Sequence, residues 1–341
     1  MANIRDVAKR AGVSISTVSR VLAKDPAFKV TEQTRKNVLQ AAGELGYVYS
    51  PAPRPRKRYS LGCILPWTSE KYEDPFFQAI YQAAEAECVR QGAVFSTLRF
   101  YNELLDRQVL SELLEEDLAG LLVMEQVSPE IHAALAERFP HIVYVDSKEL
   151  SAPHNAVGYD RIPANRQAMD CLLAHGYRRI AIIAGSSPDE ELADTTRLWV
   201  YREALRKAGI PYDEELVKDC QWNLEKCGEQ VRELMALPEP PEAIYAASDN
   251  LASAVLSTIY DMGLRCPKDV GVIGFNDLSL SGHLIPPLTT IDVPLKDIGQ
   301  AAGERLMQLI RGEDPDPRRI LFPTTLVERK SLKNIRNKED R

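Results

Sequence analysis

The stretch Ile4–Leu22, IRDVAKRAGVSISTVSRVL, decides the fold of the amino-terminal part of the chain. Its first half repeats apolar residues at the spacing of one helix face: Ile4, Val7, Ala8 and Ala11. Asn3 is a good N-cap, and Asp6 three residues later gives a variant of the capping box. Gly12 stands where a left-handed helix end favours glycine. These signals predict a first helix between Asn3 and Gly12.

Ser14 is predicted to cap a second short helix. One face of that helix is apolar and consists of Val18, Val21 and Leu22. The opposite face carries Ile15, Ser16, Ser19 and Arg20. Hydroxyls and an arginine on a short helix suit contact with phosphates and base edges in a major groove. An ordinary helical hairpin with a solvated polar face has the same periodicity, so periodicity alone leaves both interpretations open.

The residue identities point further than the periodicity. The runs Asp6-Val7-Ala8, Ala11-Gly12-Val13-Ser14 and Thr17-Val18-Ser19-Arg20-Val21-Leu22 closely resemble the signature of the LacI/GalR family of bacterial transcription regulators. The resemblance continues to about residue 330. It implies a three-helix helix-turn-helix head on a bilobal, periplasmic-binding-protein-like α/β body, and a homodimer that reads a pseudo-palindromic operator.

We expect the second helix to make the DNA contacts. The candidates for base edges are Ile15, Ser16 and Arg20. The candidates for phosphates are Ser14, Thr17, Ser19, Lys24 and Lys29. The family usually has an asparagine at the position of Ala23, so one backbone contact is missing here or is taken over by Lys24.

A third helix is predicted after Thr31, which is its cap. Its apolar residues recur at 0, 3, 4 and 7 and are Val38, Ala41, Ala42 and Leu45. This helix covers the first two and completes a head over residues 1–46.

Residues 47–60, YVYSPAPRPRKRYS, are predicted to be a hinge. The family usually has a short helix here that inserts a leucine into the minor groove. In this chain Arg56 stands where the leucine is expected, and three prolines disfavour a regular helix. One interpretation is an extended basic arm in which Arg54, Arg56 and Arg58 lie in an A·T-rich minor groove. The other is a solvated spacer that touches phosphates at most.

The charge of the chain is divided unevenly. Residues 1–58 contain 12 Lys and Arg and 4 Asp and Glu, a net charge of +8, and the remainder has a net charge of −15. A basic head on an acidic body is typical of a DNA-binding module attached to a regulatory domain. Neither a signal peptide nor a run of 18 apolar residues is seen, so we expect a cytoplasmic protein.

The six cysteines are scattered without a C-x-x-C pair, which indicates reduced thiols: Cys63, Cys88, Cys171, Cys220, Cys227 and Cys266. The five histidines show no ligand spacing, so we expect no metal and no cofactor. Nucleophile-elbow, phosphate-loop and dinucleotide-binding motifs are missing, which argues against an enzyme.

From Leu61 onward, apolar strands alternate with amphipathic helices, a pattern that predicts parallel sheets covered by helices. The predicted strands are Leu61–Leu65, Ala93–Phe100, Gly120–Met124, Ile142–Val145, Ile180–Ala184, Ala243–Ala247, Val270–Phe275 and the late Thr289–Ile291. We expect a body over residues 61–330. Its first lobe covers about 61–160 and 290–320, and its second covers about 161–289 and 321–330. Residues 331–341 are predicted to be a charged tail, which lacks the heptads of a tetramerising coiled coil.

Ligands of parallel sheets bind beyond the carboxyl ends of the strands, so we examined the residues there. The family resemblance places Asp146, Arg197, Trp222, Ser248 and Asn276 in the effector cleft. The segment Trp67–Phe76 resembles the family's first-lobe loop that closes over the ligand, and Phe76 either walls the pocket or starts the core of a helix. Carboxylate, amide, guanidinium and indole groups suit a polyhydroxyl ligand. Simpler explanations exist for several strand-end residues: a helix cap for Asp249, core packing for Trp222 and a surface salt bridge for Arg197. Asn276 departs from the aspartate that the family usually has.

The sequence therefore predicts a transcriptional repressor of carbohydrate-utilisation genes whose DNA binding is controlled by a neutral sugar such as a galactoside. A nucleoside, a purine or a sugar phosphate is the alternative co-regulator. A sugar receptor without DNA activity would share the lobes, but the stretch Ile4–Leu22 argues against it.

Overall fold

The computed structural model describes residues 3–22, 28–47, 59–66, 74–124, 127–147, 154–186 and 191–335. It divides into two compact units, Met1–Arg58 and Tyr59–Arg341. The helices of the described residues are α1 Ile4–Ala11, α2 Ile15–Leu22, α3 Glu32–Glu44, α4 Pro75–Arg90, α5 Arg107–Glu115, α6 Pro129–Arg138, α7 Arg161–Ala174, α8 Thr196–Lys207, α9 Leu224–Met235, α10 Asp249–Asp261 and α11 Leu295–Arg311. The strands are β1 Tyr59–Leu65, β2 Ala93–Phe100, β3 Gly120–Met124, β4 Ile142–Val145, β5 Asn155–Tyr159, β6 Ile180–Ala184, β7 Val217–Asp219, β8 Ala243–Ala246, β9 Gly271–Ile273, β10 Thr290–Asp292, β11 Arg319–Phe322 and β12 Thr325–Val327.

The first unit contains the three predicted helices with the predicted ends. The Asn3 side chain accepts hydrogen bonds from the backbone of Arg5 and Asp6, and the Asp6 carboxylate accepts one from the Asn3 N–H at 2.9 Å. Gly12 ends α1 in the left-handed conformation with φ 68°. Both predictions are confirmed, and both stabilise the sharp turn between α1 and α2.

The core of the first unit is small and lies where the three helices meet. Its buried residues are Val7, Ala8, Val18, Val21, Val38, Ala41 and Ala42. Tyr47 packs against this cluster, and its backbone N–H donates to the Ala42 carbonyl at 2.9 Å. The prediction that the hinge starts at residue 47 is therefore wrong at that end. It is also wrong at the other end, because Tyr59 and Ser60 open β1.

The second unit contains two parallel sheets. The six-stranded sheet has the order β11-β5-β4-β3-β1-β2, and the four-stranded sheet has the order β7-β6-β8-β9. Register in the first sheet pairs Leu61 with Gly120 and Leu121 with Ile142. A separate antiparallel pair joins β10 to β12, with Ile291 opposite Leu326. The fold class predicted from the sequence is thereby confirmed.

Helix α11 returns to the first sheet and packs closely along α4. A Cβ added at Gly299 would lie 2.3 Å from the Ile80 carbonyl oxygen, and one at Gly303 would lie 2.8 Å from the Ala84 carbonyl oxygen. Glycine is required at both positions because the two helix backbones approach each other there. Within the described residues, no helix is both long enough and apolar enough to cross a membrane.

Three parts of the body differ from the sequence prediction. Strands β5, β7, β11 and β12 are not among the predicted strands. Strand β11 joins the first sheet through Arg319–Phe322, so a lobe boundary at residue 320 cuts a strand. The predicted tail begins too early. Ser331 is fully buried, and its hydroxyl lies 2.6 Å from the Val272 carbonyl oxygen. Chain up to Ile335, whose N–H donates to the His175 carbonyl, belongs to the body.

Candidate functional site

All six residues predicted to face an effector line one cleft in the second unit. They are Phe76, Asp146, Arg197, Trp222, Ser248 and Asn276. The cleft lies beyond the carboxyl ends of strands from both sheets, and its volume is about 160 Å³. Residues 67–73, which belong to the segment that resembles the family's ligand-closing loop, lie outside the described residues.

An ion pair between Asp146 and Arg161 forms one wall of the cleft. The Arg161 guanidinium donates to Asp146 Oδ1 at 2.8 Å and also to the Asp146 carbonyl oxygen. Asp146 follows β4, and Arg161 opens α7. Because each charge partly neutralises the other, this wall offers hydrogen-bonding edges without a strong net field.

Asn165 holds the second arginine of the cleft. Arg197 Nε donates to Asn165 Oδ1 at 3.0 Å, and the Tyr245 hydroxyl donates to the same oxygen at 2.7 Å. The Arg197 guanidinium carbon also lies 5.0 Å from the centre of the Phe275 ring. These contacts fix the plane of the guanidinium before any ligand arrives.

Aromatic side chains supply the apolar part of the lining. Phe76 lies in the first turn of α4, and its backbone N–H donates to the capping Asp74 Oδ1 at 2.9 Å. Tyr159 ends β5 and packs on Phe275 with ring centres 5.9 Å apart. Trp222 lies against Gly185, at which an added Cβ would come within 2.4 Å of the indole Cδ1. An indole and a phenyl face suit the C–H side of a sugar ring.

Backbone strain is concentrated at this cleft. Three of its residues have positive φ without being glycine: Asp146 at 53°, Trp222 at 59° and Asn276 at 107°. Non-glycine residues adopt such angles at a cost of about 1–3 kcal/mol each, and they cluster at functional sites. The strain is therefore independent support for a binding role of this cleft.

The first turn of α10 differs from the sequence prediction. Ser248, and not Asp249, is the N-cap, because its hydroxyl accepts from the Leu251 N–H at 3.2 Å. Asp249 is fully buried and accepts from the hydroxyls of Ser281 and Thr290, each at 2.6 Å. Burial raises the pKa of the Asp249 carboxyl to about 6, although these hydrogen bonds oppose the shift. Asp249 thus links the loop that follows β9 with strand β10, and these contacts lie behind the cleft.

The first unit presents the predicted polar face of α2. Ile15 is 45% exposed, and Ser16 and Arg20 are also exposed. The Ser14 hydroxyl accepts from the Thr17 N–H at 3.1 Å, which confirms that Ser14 is the cap. Ser19 is half-buried, Lys29 is exposed, and the Arg20 guanidinium carbon lies 5.2 Å from the centre of the Phe28 ring. The remaining predicted DNA contacts lie outside the described residues: Lys24, Arg54, Arg56 and Arg58.

Comparison with known proteins decides the family. The model of the bacterial regulatory proteins of the lacI family matches residues 3–50, and that of a periplasmic binding protein-like domain matches residues 169–332. The HTH-type transcriptional regulator CelR of Thermobifida fusca is 31% identical and covers 95% of this chain and 96% of its own length. The chain belongs to the LacI family.

Other relatives of this LacI-family regulator match over nearly its whole length. The HTH-type transcriptional regulator GalR of Streptococcus thermophilus is 30% identical over 98% of this chain and 99% of its own. The HTH-type transcriptional repressor PurR of Escherichia coli O139:H28 is 31% identical over 97% of each chain. Among solved structures, the transcriptional regulator CelR–cellobiose complex matches with a TM-score of 0.71 at 30% identity, over 97% of this chain and 100% of that one.

Sequence reasoning missed several side chains of the regulator's cleft, among them Tyr159, Arg161 and Asn165. Tyr159 ends β5, and the other two lie in the first turns of α7. The available signal was the strand–aspartate–helix pattern at Tyr159-Asp160-Arg161. In that pattern Asp160 caps α7 through the Ile162 N–H, and Arg161 and Asn165 share a helix face at a spacing of four.

Proposed function

We propose that this LacI-family regulator represses transcription from a pseudo-palindromic operator as a cytoplasmic homodimer, and that a neutral sugar in the cleft controls its DNA binding. The exposed face of α2 supports the DNA-binding part, with Ser16 and Arg20 toward base edges and Lys29 toward the backbone. We extend the proposal to Arg54, Arg56 and Arg58 as a basic arm in the adjoining minor groove.

The charge balance of the cleft is the observation that carries the sugar assignment. Among its lining residues, Asp74 and Asp146 are acidic, and Arg161 and Arg197 are basic, so the formal charges cancel. A phosphorylated ligand requires a net positive pocket or a cluster of backbone N–H groups, whereas a neutral polyol needs paired donors and acceptors beside an aromatic face. Phe76, Trp222 and Asn276 complete such a surface.

A thermal-shift panel tests this assignment on the full chain. The panel contains cellobiose, lactose and galactose, then adenosine and hypoxanthine, then glucose 6-phosphate. A true ligand at 100 times its Kd stabilises the fold by about 2.7 kcal/mol, so it raises the unfolding midpoint. We expect one neutral sugar to do so, and we expect Trp222→Ala to abolish the shift.

The matched control is Trp199→Ala, since Trp199 lies on α8, is 52% exposed and does not line the cleft. This variant should keep the shift. A midpoint raised only by adenosine or hypoxanthine would support the second candidate, a purine-type co-regulator. The 31% identity to the PurR repressor favours that candidate over a sugar phosphate.

Control of DNA binding requires that the ligand prefer one of two conformations of the regulator. A typical coupling is 1–3 kcal/mol, and by linkage DNA changes ligand affinity by the factor by which ligand changes DNA affinity. We propose that ligand closes the two lobes and thereby alters the spacing of the two heads in the dimer.

A further inference from the structure

Three side chains with metal-ligating atoms meet at the carboxyl-terminal end of α7, outside the cleft. They are Cys171, His175 and Glu328, and one ligand atom from each lies within 4.8 Å of the others. Cys171 and His175 are four residues apart and so share one helix face. Glu328 directly follows β12, from a part of the chain more than 150 residues away. The histidine spacing in the sequence gave no indication of this group.

The two ring nitrogens of His175 face different members of the group, because Nδ1 lies 3.7 Å from Cys171 Sγ whereas Nε2 lies toward Glu328. His175 Nδ1 lies 2.9 Å from the Cys171 carbonyl oxygen, so an Nδ1–H donates to it. Nε2 then carries the lone pair, and it lies 3.7 Å from Glu328 Oε2. A histidine that binds a metal through one nitrogen and donates from the other to a backbone carbonyl is the usual arrangement in protein metal sites.

The surroundings hold this histidine in place. Its ring is stacked near Tyr177, with ring centres 6.5 Å apart and an interplanar angle of 18°. Its carbonyl oxygen accepts from the Ile335 N–H at 2.9 Å. Cys171 is buried, whereas the Glu328 side chain is 59% exposed, so the group opens to solvent on the carboxylate side. An ion can therefore enter from that side without unfolding the helix.

We propose that Cys171, His175 and Glu328 bind a zinc ion. A thiolate, an imidazole and a carboxylate are ligands that Zn²⁺ accepts, and three protein ligands leave a fourth position for water. Mg²⁺ and Ca²⁺ prefer oxygen ligands and are disfavoured by the thiolate. Binding removes the proton from the Cys171 thiol and releases it to solvent.

The bound ion would add a link between helix α7 and the segment that follows β12. Helix α7 carries Arg161 and Asn165 toward its other end, and Asn165 lies about 15 Å from His175 at a rise of about 1.5 Å per residue. Strand β12, which precedes Glu328, pairs with β10. Zinc would thus join the helix that forms one wall of the cleft to this two-stranded pair. The proposal itself does not depend on the identity of the ligand in the cleft.

The first experiment titrates the full-length protein with Co²⁺, a spectroscopic substitute for zinc. We expect one equivalent to give a thiolate-to-cobalt charge-transfer band that Zn²⁺ displaces and Mg²⁺ does not. Cys171→Ser should remove the band, whereas Cys266→Ser should keep it. Cys266 is the matched control because it is the least buried of the six cysteines and lies outside the group. A band that persists in Cys171→Ser would overturn the proposal.

The second experiment uses the exposed ligand, whose replacement should leave the fold intact. Glu328→Gln should keep the cobalt band but weaken Zn²⁺ binding at least roughly tenfold, as loss of metal-site partners does. Glu313→Gln, on the surface beyond α11, should bind Zn²⁺ as the wild type does. Wild-type protein that shows neither the band nor a rise in unfolding midpoint with Zn²⁺ would refute the site. Equal Zn²⁺ affinity in Glu328→Gln and wild type would also refute the assigned ligand set.

Discussion

The Gly185 backbone lies against the Trp222 indole so closely that a Cβ at Gly185 would come within 2.4 Å of Cδ1 and 2.6 Å of Cγ. Gly185 directly follows β6, and Trp222 follows β7 at a positive φ of 59°. Two features therefore set the position of the indole in the cleft: Gly185 has no side chain to displace it, and the Trp222 backbone is held in a strained conformation.

Gly185→Ala should displace Trp222 and weaken binding of the sugar identified in the thermal-shift panel. Loss of aromatic contact is worth about 1 kcal/mol, so we expect Kd to rise about fivefold or more. Isothermal titration measures the change. Gly158→Ala is the matched control, because its Cβ would meet nothing closer than 3.7 Å. Equal Kd values for the two variants would contradict the role given to Gly185.

Arg197→Lys keeps the positive charge but loses the planar group that is held by Asn165 and Phe275. A hydrogen bond from a charged group contributes about 1.5–3 kcal/mol, so Kd should rise about 10- to 100-fold. Arg202→Lys is the matched control on the same helix, since Arg202 stacks on Tyr212 outside the cleft. Unchanged Kd in Arg197→Lys would remove this residue from the ligand contacts.

Asp249 should make stability depend on pH in the acidic range. Burial raises its pKa to about 6 from the ordinary value of 3.8, so the folded protein binds its proton more tightly than the unfolded chain does. The stabilisation is fully present below about pH 4 and is lost as pH rises through about 6. The difference amounts to at most about 3 kcal/mol of unfolding free energy.

Denaturant unfolding of wild type and Asp249→Asn at pH 4 and pH 6 measures this contribution. The unfolding free energy should fall less from pH 4 to pH 6 in Asp249→Asn than in the wild type. Asp261→Asn, at an exposed position at the end of the same helix, should retain the wild-type decrease. If Asp249→Asn shows the wild-type decrease as well, the Asp249 carboxyl does not titrate in this range.

Arg20→Ala should lower operator affinity by about 1–3 kcal/mol, with the loss concentrated at one base pair. Lys29→Ala is the comparison. It should weaken binding to all sequences alike and reduce the salt slope by about one. Fluorescence anisotropy against single-substitution duplexes distinguishes the two patterns. A uniform loss in Arg20→Ala would make Arg20 a phosphate contact only.

The sequence predicted best where local chemistry decides the structure. Asn3, Gly12 and Ser14 cap helices through atoms only a few residues away, so their roles follow from spacing. The strand-end rule likewise selected Asp146, Ser248 and Asn276, which the fold brings into one cleft because parallel strands place their carboxyl ends at the same edge. Phe76 came from the family resemblance alone.

The prediction was weakest where long-range packing decides the structure. Strand β5, NAVGY, contains an asparagine and a glycine, so its propensity for strand formation is low, and pairing with β4 and β11 supplies its stability. Asp249 looked like a cap because its partners Ser281 and Thr290 are 32 and 41 residues away. The proximity of Cys171 and Glu328 could not be predicted for the same reason, since they are far apart in the sequence.

The central claim is that the cleft controls the DNA-binding head. The most direct test is a fluorescence anisotropy titration of the full-length protein against a DNA duplex. The duplex is one that the protein has selected from a random pool. The titration is made with and without a saturating concentration of the sugar identified by thermal shift. We predict that the sugar changes operator affinity about 5- to 150-fold in the wild type and much less in Trp222→Ala. Identical operator affinity with and without the sugar, in wild-type protein that binds it, would contradict the account.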